Sequence, residues 1–240
     1  MGKVGGARHP LQEHSAGERV VIVGTGEWAA MALEYFHRDS PHEVVAFSAE
    51  APYVGDGSYC DLPVVPLHEL SRAYPPSEFK TFVAVSLTHL SRLRRRLYNT
   101  VRAAGFDCVS YISGDAFVLA SAEIGQNVFV FEKATLEFQV RIGDNVFLGC
   151  GTCVGHSTVI EEDCWSGPNA TVCGWAKVSR GSFLGAGSCV IGGVTVGEEC
   201  VIGAGAVVLR DTKPRQVYVG NPARPTGRDS FEVFGVITDD

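Results

Sequence analysis

No apolar run among the 240 residues approaches the ~20 that a membrane-spanning helix needs. Residues 1–17 are polar and glycine-rich without the apolar centre of a secretion signal. Gly6 stands where a myristoylation motif starting at Gly2 needs Ser or Thr. The expectation is a cytoplasmic protein with no membrane partner and a disordered tail over residues 1–17. Basic residues are outnumbered, 20 against 27 acidic, and the net charge of −7 argues against nucleic acid as a partner. The eight cysteines lack a zinc pattern, because Cys150 and Cys153 are the only CxxC pair and no second pair stands near them. They are read as small residues in a reducing compartment. Histidine is scarce in the second half: of seven, only His156 lies within residues 118–213.

What is present there is a six-residue period. Residues 118–213 divide into sixteen hexads with no insertion or skip. The first positions, from Val118, Ile124 and Val130 to Ile202 and Val208, are aliphatic except Ser166; the fifth positions are all small or β-branched. A helix face or an alternating strand has a different period, so the reading is a repeat architecture. Each hexad supplies a short strand and a corner, and three close one triangular coil. Residues 18 apart then stack at the parallel-strand spacing of ~4.8 Å. Sixteen hexads predict a parallel β-helix of about five coils. An ordinary β-sandwich has turns of varying length, which would break this register.

Residues 18–112 read as a small α/β, Rossmann-like domain with strands at Arg19 to Val23, Val44 to Phe47, Phe82 to Val85 and Cys108 to Ile112. Helices are expected after Gly26 and between Thr88 and Ala104. Gly24, Thr25 and Gly26 form the first strand-to-helix turn, where backbone amides favour an anion such as a diphosphate. A glycine turn that only packs helix on strand is the alternative. Ala29 replaces the third glycine of a dinucleotide fingerprint, and Glu50 is a late candidate for a ribose hydroxyl. The domain's size suits a single nucleotide better than NAD. Arg92, Arg94, Arg95, Arg96 and Arg102 crowd the last helix and predict a solvated face, with contact to an acidic neighbouring subunit as the alternative.

His156 occupies the third position of its hexad, an outward corner, and Gly174 lies one coil further on. An imidazole beside a bare backbone N–H is the arrangement acyl transfer needs: a base for the nucleophile and a donor for the oxyanion.

A small nucleotide-binding domain followed by hexapeptide repeats resembles the bacterial sugar acyltransferases that act on nucleotide-linked amino sugars, close relatives of the sialic acid O-acetyltransferases. The similarity runs from about residue 19 to 225 and includes the closing Val219-Gly220-Asn221-Pro222-Ala223-Arg224. The resemblance implies a left-handed β-helix and a homotrimer that takes acetyl-CoA in the groove between two subunits. It also implies His156 as general base, Gly174 as oxyanion donor, and Gly24, Thr25 and Gly26 against the sugar nucleotide. Gly174 and Gly192 would let pantetheine approach the backbone, and Arg224 would meet the CoA phosphates. Two departures stand out. Ser157 follows the histidine where relatives carry Asp or Glu, and Trp165 replaces a polar group near the sugar. Trp165 with Trp175 on the next coil predicts an apolar wall for the sugar or for a longer acyl chain.

The expected activity is N-acetylation of a nucleotide-linked amino-deoxysugar. O-acetylation of a sialic-acid-like sugar and an inactive trimeric scaffold are the alternatives. A β-helical carbonic anhydrase needs three imidazoles at a zinc ion and is set aside by the lone His156. Residues 214–240 form a C-terminal extension in which Phe231, Val233, Phe234 and Val236 are expected to pack on a neighbouring subunit.

Overall fold

The structure is a computed structural model that describes residues 17–236. Apart from Gly17, the expected N-terminal tail lies outside the described residues. Strands β1 (Arg19–Val23), β2 (Glu43–Ala49), β3 (Ser58–Tyr59), β4 (Leu62–Pro66) and β5 (Lys80–Val83) form one sheet in the order β3-β4-β2-β1-β5. All of its pairings are parallel except the β3–β4 hairpin. Helix α1 (Glu27–Asp39) buries Ala29, Ala32, Leu33 and Phe36, an i, i+3, i+4, i+7 stripe, against Ile22, Phe47 and Phe82. After α2 (Leu70–Ala73), helix α3 (Arg92–Ala103) covers the other face with Leu97, Tyr98 and Val101 against Val21, Val23 and Val83.

The strand expected over Cys108 to Ile112 belongs elsewhere. Only Cys108 bridges the α/β sheet, at Thr81, whereas β6 (Tyr111–Ile112) pairs with Phe129–Val130. Ile112 and Ala116 are both buried and sit at first and fifth hexad positions, so the repeat begins one hexad before Val118. From β6 through β7 (Phe117–Val118) to β22 (Val207–Val208), a two-residue strand starts every six residues. These strands build three parallel sheets, and residues 18 apart pair, as in Thr135↔Cys153 and Cys153↔Thr171. The second residue of each strand is the first hexad position and fills the prism. The exception Ser166 is equally buried, and its Oγ is satisfied by the Gly149 N–H at 3.1 Å and Thr152 Oγ1 at 2.9 Å.

Every fourth hexad position from Asn127 to Gly205 has positive φ. Asn, Asp and Gly, which tolerate the left-handed region, dominate these corners. Three of them form a ladder from the prism into the α/β sheet. Asp163 accepts from Asn145 at 2.7 Å, Asn145 from Asn127 at 2.8 Å, and Asn127 from the Val83 N–H at 2.7 Å.

Three arginines of α3, Arg92, Arg94 and Arg95, complete this joint instead of forming a solvated face, whereas Arg96 and Arg102 pair within the α/β domain, with Glu50 and Asp107. Arg94, 2 % exposed, donates to the carbonyls of Asn127 and Asn145, and burial pulls its guanidinium down to about 10. Arg95 meets Asp163 at 2.6 Å, Arg92 meets Glu199 at 2.8 Å and Arg96 meets Glu50 at 2.8 Å. Buried carbonyls with no other charged donor explain why a helix of this composition lies inward.

The C-terminal part also packs on its own chain. Strands β23 (Gln216–Val219) and β24 (Arg224–Asp229) extend one prism face, and α4 (Ser230–Phe234) buries Phe231 against Leu90, Val201 and Val217.

Candidate active site

His156 projects from the corner after strand Cys153–Val154. Its main-chain N–H donates to Glu137 Oε2 at 2.9 Å, and the same oxygen lies 3.5 Å from Nδ1. Glu137 is not among the residues that the sequence singles out. It precedes His156 by 19 residues, and a second pair in the chain shows the pattern: Glu161 accepts the Arg180 N–H at 3.0 Å, again 19 apart. A glutamate at a second hexad position therefore reaches the third-position N–H of the next coil.

Gly174 lies where the same rule would place its acceptor at Gly155, which has no side chain. No hydrogen bond among the described residues takes the Gly174 N–H, and a Cβ on Gly155 would stand 2.6 Å from that nitrogen. A Cβ on Gly174 would stand 2.5–2.9 Å from Cε1, Nε2 and Nδ1 of His156. Both glycines are thus required by close approach: one exposes the donor and the other admits the ring. Gly192 follows one coil on, where a Cβ would meet only Gly174 O, at 3.0 Å, so the surface beside the donor is bare.

Ser157 is at φ 56° and makes no side-chain hydrogen bond to His156 among the described contacts. Trp175 is at φ 58°, is 69 % exposed, and lies with its ring centroid 4.3 Å from that of His156, nearly perpendicular to it. A bulky residue in the left-handed region is an outlier, and no buried packing accounts for it.

Trp165 does not join Trp175. It stands on the prism face covered by the α/β domain, where it is buried, stacks on Phe147 at 3.7 Å and meets Trp28 edge-on at 5.0 Å. Its position points outward from the prism, but the first domain covers that face. Trp165 therefore forms no wall with Trp175, contrary to expectation.

Gly24, Thr25 and Gly26 border a cavity of about 820 Å³ that also takes in Glu50, Ser86, His89, Arg92 and Arg96. Gly24 has φ +130°, and a Cβ there would lie 2.6 Å from Ala84 O, so this glycine lets the chain leaving β1 pass close to the chain leaving β5. Gly26 caps α1 with open space around it, whereas Thr25 Oγ1 donates to Tyr53 O at 3.0 Å. Glu50 lines the cavity, but both its oxygens accept from Arg96 at 2.8 Å, which holds its carboxyl below the usual range. That pairing competes with the ribose contact expected of Glu50. Arg224 is exposed beside Val219, and its Nη1 donates only to Ala223 O. His156 is not among the residues that line this cavity. Cys150 and Cys153 are free thiols, and burial raises Cys153. Among the described residues no group of three His, Cys, Asp or Glu side chains is placed to hold a metal, and no helix is long and apolar enough to cross a membrane.

Two family models match the repeat: bacterial transferase hexapeptide (six repeats) over residues 176–210, and hexapeptide repeat of succinyl-transferase over residues 139–165. No curated protein sequence matches significantly. Among solved structures, the chain is similar to PerB from Caulobacter crescentus in complex with CoA and GDP-perosamine. Identity is 30% over 89% of this chain and 99% of that one, with a TM-score of 0.75. A histidine-to-asparagine variant of perosamine N-acetyltransferase from the same organism, with the same two ligands, matches at 29% identity over 89% and 99%, TM-score 0.76. The acetyltransferase domain of PglB from Neisseria gonorrhoeae matches at 27% identity over 87% and 100%, TM-score 0.77. With an α/β domain ahead of a left-handed hexapeptide β-helix, the chain belongs to the hexapeptide-repeat sugar acyltransferases.

Proposed function

We propose that the protein transfers an acetyl group from acetyl-CoA to the amino group of a nucleotide-linked amino-deoxysugar. The observation that carries this reading is the His156 ring lying flat against Gly174, whose N–H is left without an acceptor. The sugar amine attacks the thioester carbonyl while His156 takes its proton. The Gly174 N–H donates to the oxygen that becomes negative in the tetrahedral intermediate. That intermediate collapses with loss of the CoA thiolate, which receives the proton, giving the amide and free CoA thiol. Glu137 supplies the carboxylate that the Ser157 position lacks, orienting the imidazole from the preceding coil. Trp175 forms one wall beside the base.

The bare strip of Gly174 and Gly192 suits the pantetheine arm, with Arg224 as a candidate for the CoA phosphates. The cavity at Gly24, Thr25 and Gly26 suits the nucleotide. His156 does not line that cavity, and in the proposed assembly a neighbouring copy brings its cavity to the His156 corner. A homotrimer with sites between subunits provides that arrangement. The CoA and GDP-aminosugar bound by PerB support the same assignment.

A turnover screen tests it: purified protein with acetyl-CoA against dTDP-, UDP- and GDP-linked 3- and 4-amino sugars, and a free sialic acid. Thiol release with an amino-sugar nucleotide and an N-acetylated product by mass is expected. Turnover confined to the sialic acid would replace N- by O-transfer.

A further inference from the structure

The cavity at the glycine turn has a wall that the α/β domain does not supply. Val236, from the C-terminal segment, lines it together with His89, Arg92 and Arg96. The path of that segment is tightly built. Asp229 caps α4 by accepting the Phe231 N–H at 2.8 Å and also pairs with Arg215 at 3.0 Å. Gly235, at φ 58°, ends the helix, and the Val236 N–H returns to Phe231 O at 2.9 Å, which turns the chain toward the cavity.

Phe231 is buried between two guanidinium groups, with Arg92 Cζ 4.3 Å and Arg215 Cζ 4.0 Å from its ring centroid. Arg92 therefore faces the cavity with one side against an aromatic ring. Glu199 accepts its Nη2 at 2.8 Å, and its buried Nε has no hydrogen-bond partner.

The loop entering α3 depends on the same cluster. His89, Leu90 and Ser91 all adopt positive φ, at 50°, 54° and 62°. Three consecutive non-glycine residues in the left-handed region store strain that surrounding contacts must offset. The offset is visible: Leu90 is buried with Phe231, Val201 and Val217. The turn thereby sends Leu90 into the C-terminal cluster while His89 and Arg92 face the cavity.

We propose that residues 229–236 are a built-in part of the acceptor site. Phe231 is a positioning residue that holds Arg92 and the strained His89–Ser91 turn in place, and Arg92 donates to a phosphate oxygen of the bound nucleotide. This rests on the reading of the cavity as the nucleotide site.

Calorimetric titration of full-length wild type, Phe231→Leu and Arg92→Gln with GDP, UDP, dTDP and, separately, CoA tests it. Phe231→Leu keeps an apolar side chain in the cluster and removes the ring face. Both variants should bind the wild type's preferred nucleotide about tenfold more weakly or worse, the loss expected for a charge-assisted hydrogen bond, with unchanged CoA affinity. The double variant should be no weaker than Arg92→Gln alone, because Phe231 acts through Arg92. Wild-type nucleotide affinity in either single variant overturns the proposal while leaving the nucleotide-site reading intact. Equal loss of CoA affinity would mark general damage and also overturn it. A wild type that binds none of the three nucleotides removes the site reading and the proposal together.

Discussion

Glu137 and His156 come from successive coils, and one carboxylate oxygen of the first accepts the main-chain N–H of the second, at 2.9 Å, and lies 3.5 Å from its Nδ1. The acid thus approaches the imidazole from the coil below, not from the next residue in the chain. With Ser157 in the left-handed corner conformation, the neighbouring position is spatially available for an Asp, which tolerates that conformation.

Glu137→Gln should therefore lower kcat by roughly 10-fold or more with KM for both substrates nearly unchanged, the pattern of a lost orienting partner. Adding Ser157→Asp in that background should recover much of the rate. A kcat insensitive to Glu137→Gln, or a double variant no better than the single, would remove Glu137 from the catalytic arrangement.

Gly174→Ala forces a Cβ to within 2.5–2.9 Å of three His156 ring atoms, so the imidazole has to move. Displacement of a base by about 1 Å costs on the order of 100-fold in rate. Gly155→Ala puts a Cβ 2.6 Å from the Gly174 nitrogen instead, so that backbone has to shift with its N–H, and kcat should fall. Steady-state kinetics with circular dichroism as a folding control checks both.

Trp175 holds a left-handed conformation that costs an ordinary L-residue about 1–2 kcal/mol and that Asn adopts readily. Trp175→Asn should then stabilise the protein by about 1 kcal/mol in chemical denaturation. Its turnover should fall, because the wall beside His156 is lost. A stabilised variant with full activity toward every acyl-CoA would show that the ring has no part in the site.

Arg94 and Arg38 separate buried from surface charge. Arg94→Ala strands two buried carbonyls and should cost about 3 kcal/mol in denaturant melts. Arg38→Ala breaks an exposed pair with Asp115 at 3.3 Å and should cost under about 1 kcal/mol. Comparable losses would mean that the joint between the domains does not rest on Arg94.

The hexad register was legible because every coil repeats the same burial, and it located His156 and Gly174 one coil apart from spacing alone. Its limits are physical. A register tells inward from outward but not which outward face a second domain covers, so Trp165 looked like a site residue while lying under α1. It predicts stacking at 18 residues, whereas Glu137 reaches across at 19. Arginine density on α3 resembled a solvated face because the carbonyls it serves belong to distant corners. Strand β4 escaped notice because Pro63 and Pro66 argue against a paired strand, yet Val64 and Val65 pair with Phe47 and Ser48. The α/β cavity was legible only as a glycine turn, since Arg92 and Val236 reach it through tertiary packing.

In the proposed reaction His156 accepts the proton of the attacking amine. The most direct measurement of that role is thiol release from acetyl-CoA by His156→Ala, saturated with the amino-sugar nucleotide that the wild type turns over fastest. The kcat should be lower by about 10²–10⁴-fold, with CoA and nucleotide affinities retained. A kcat equal to that of the wild type would contradict that role.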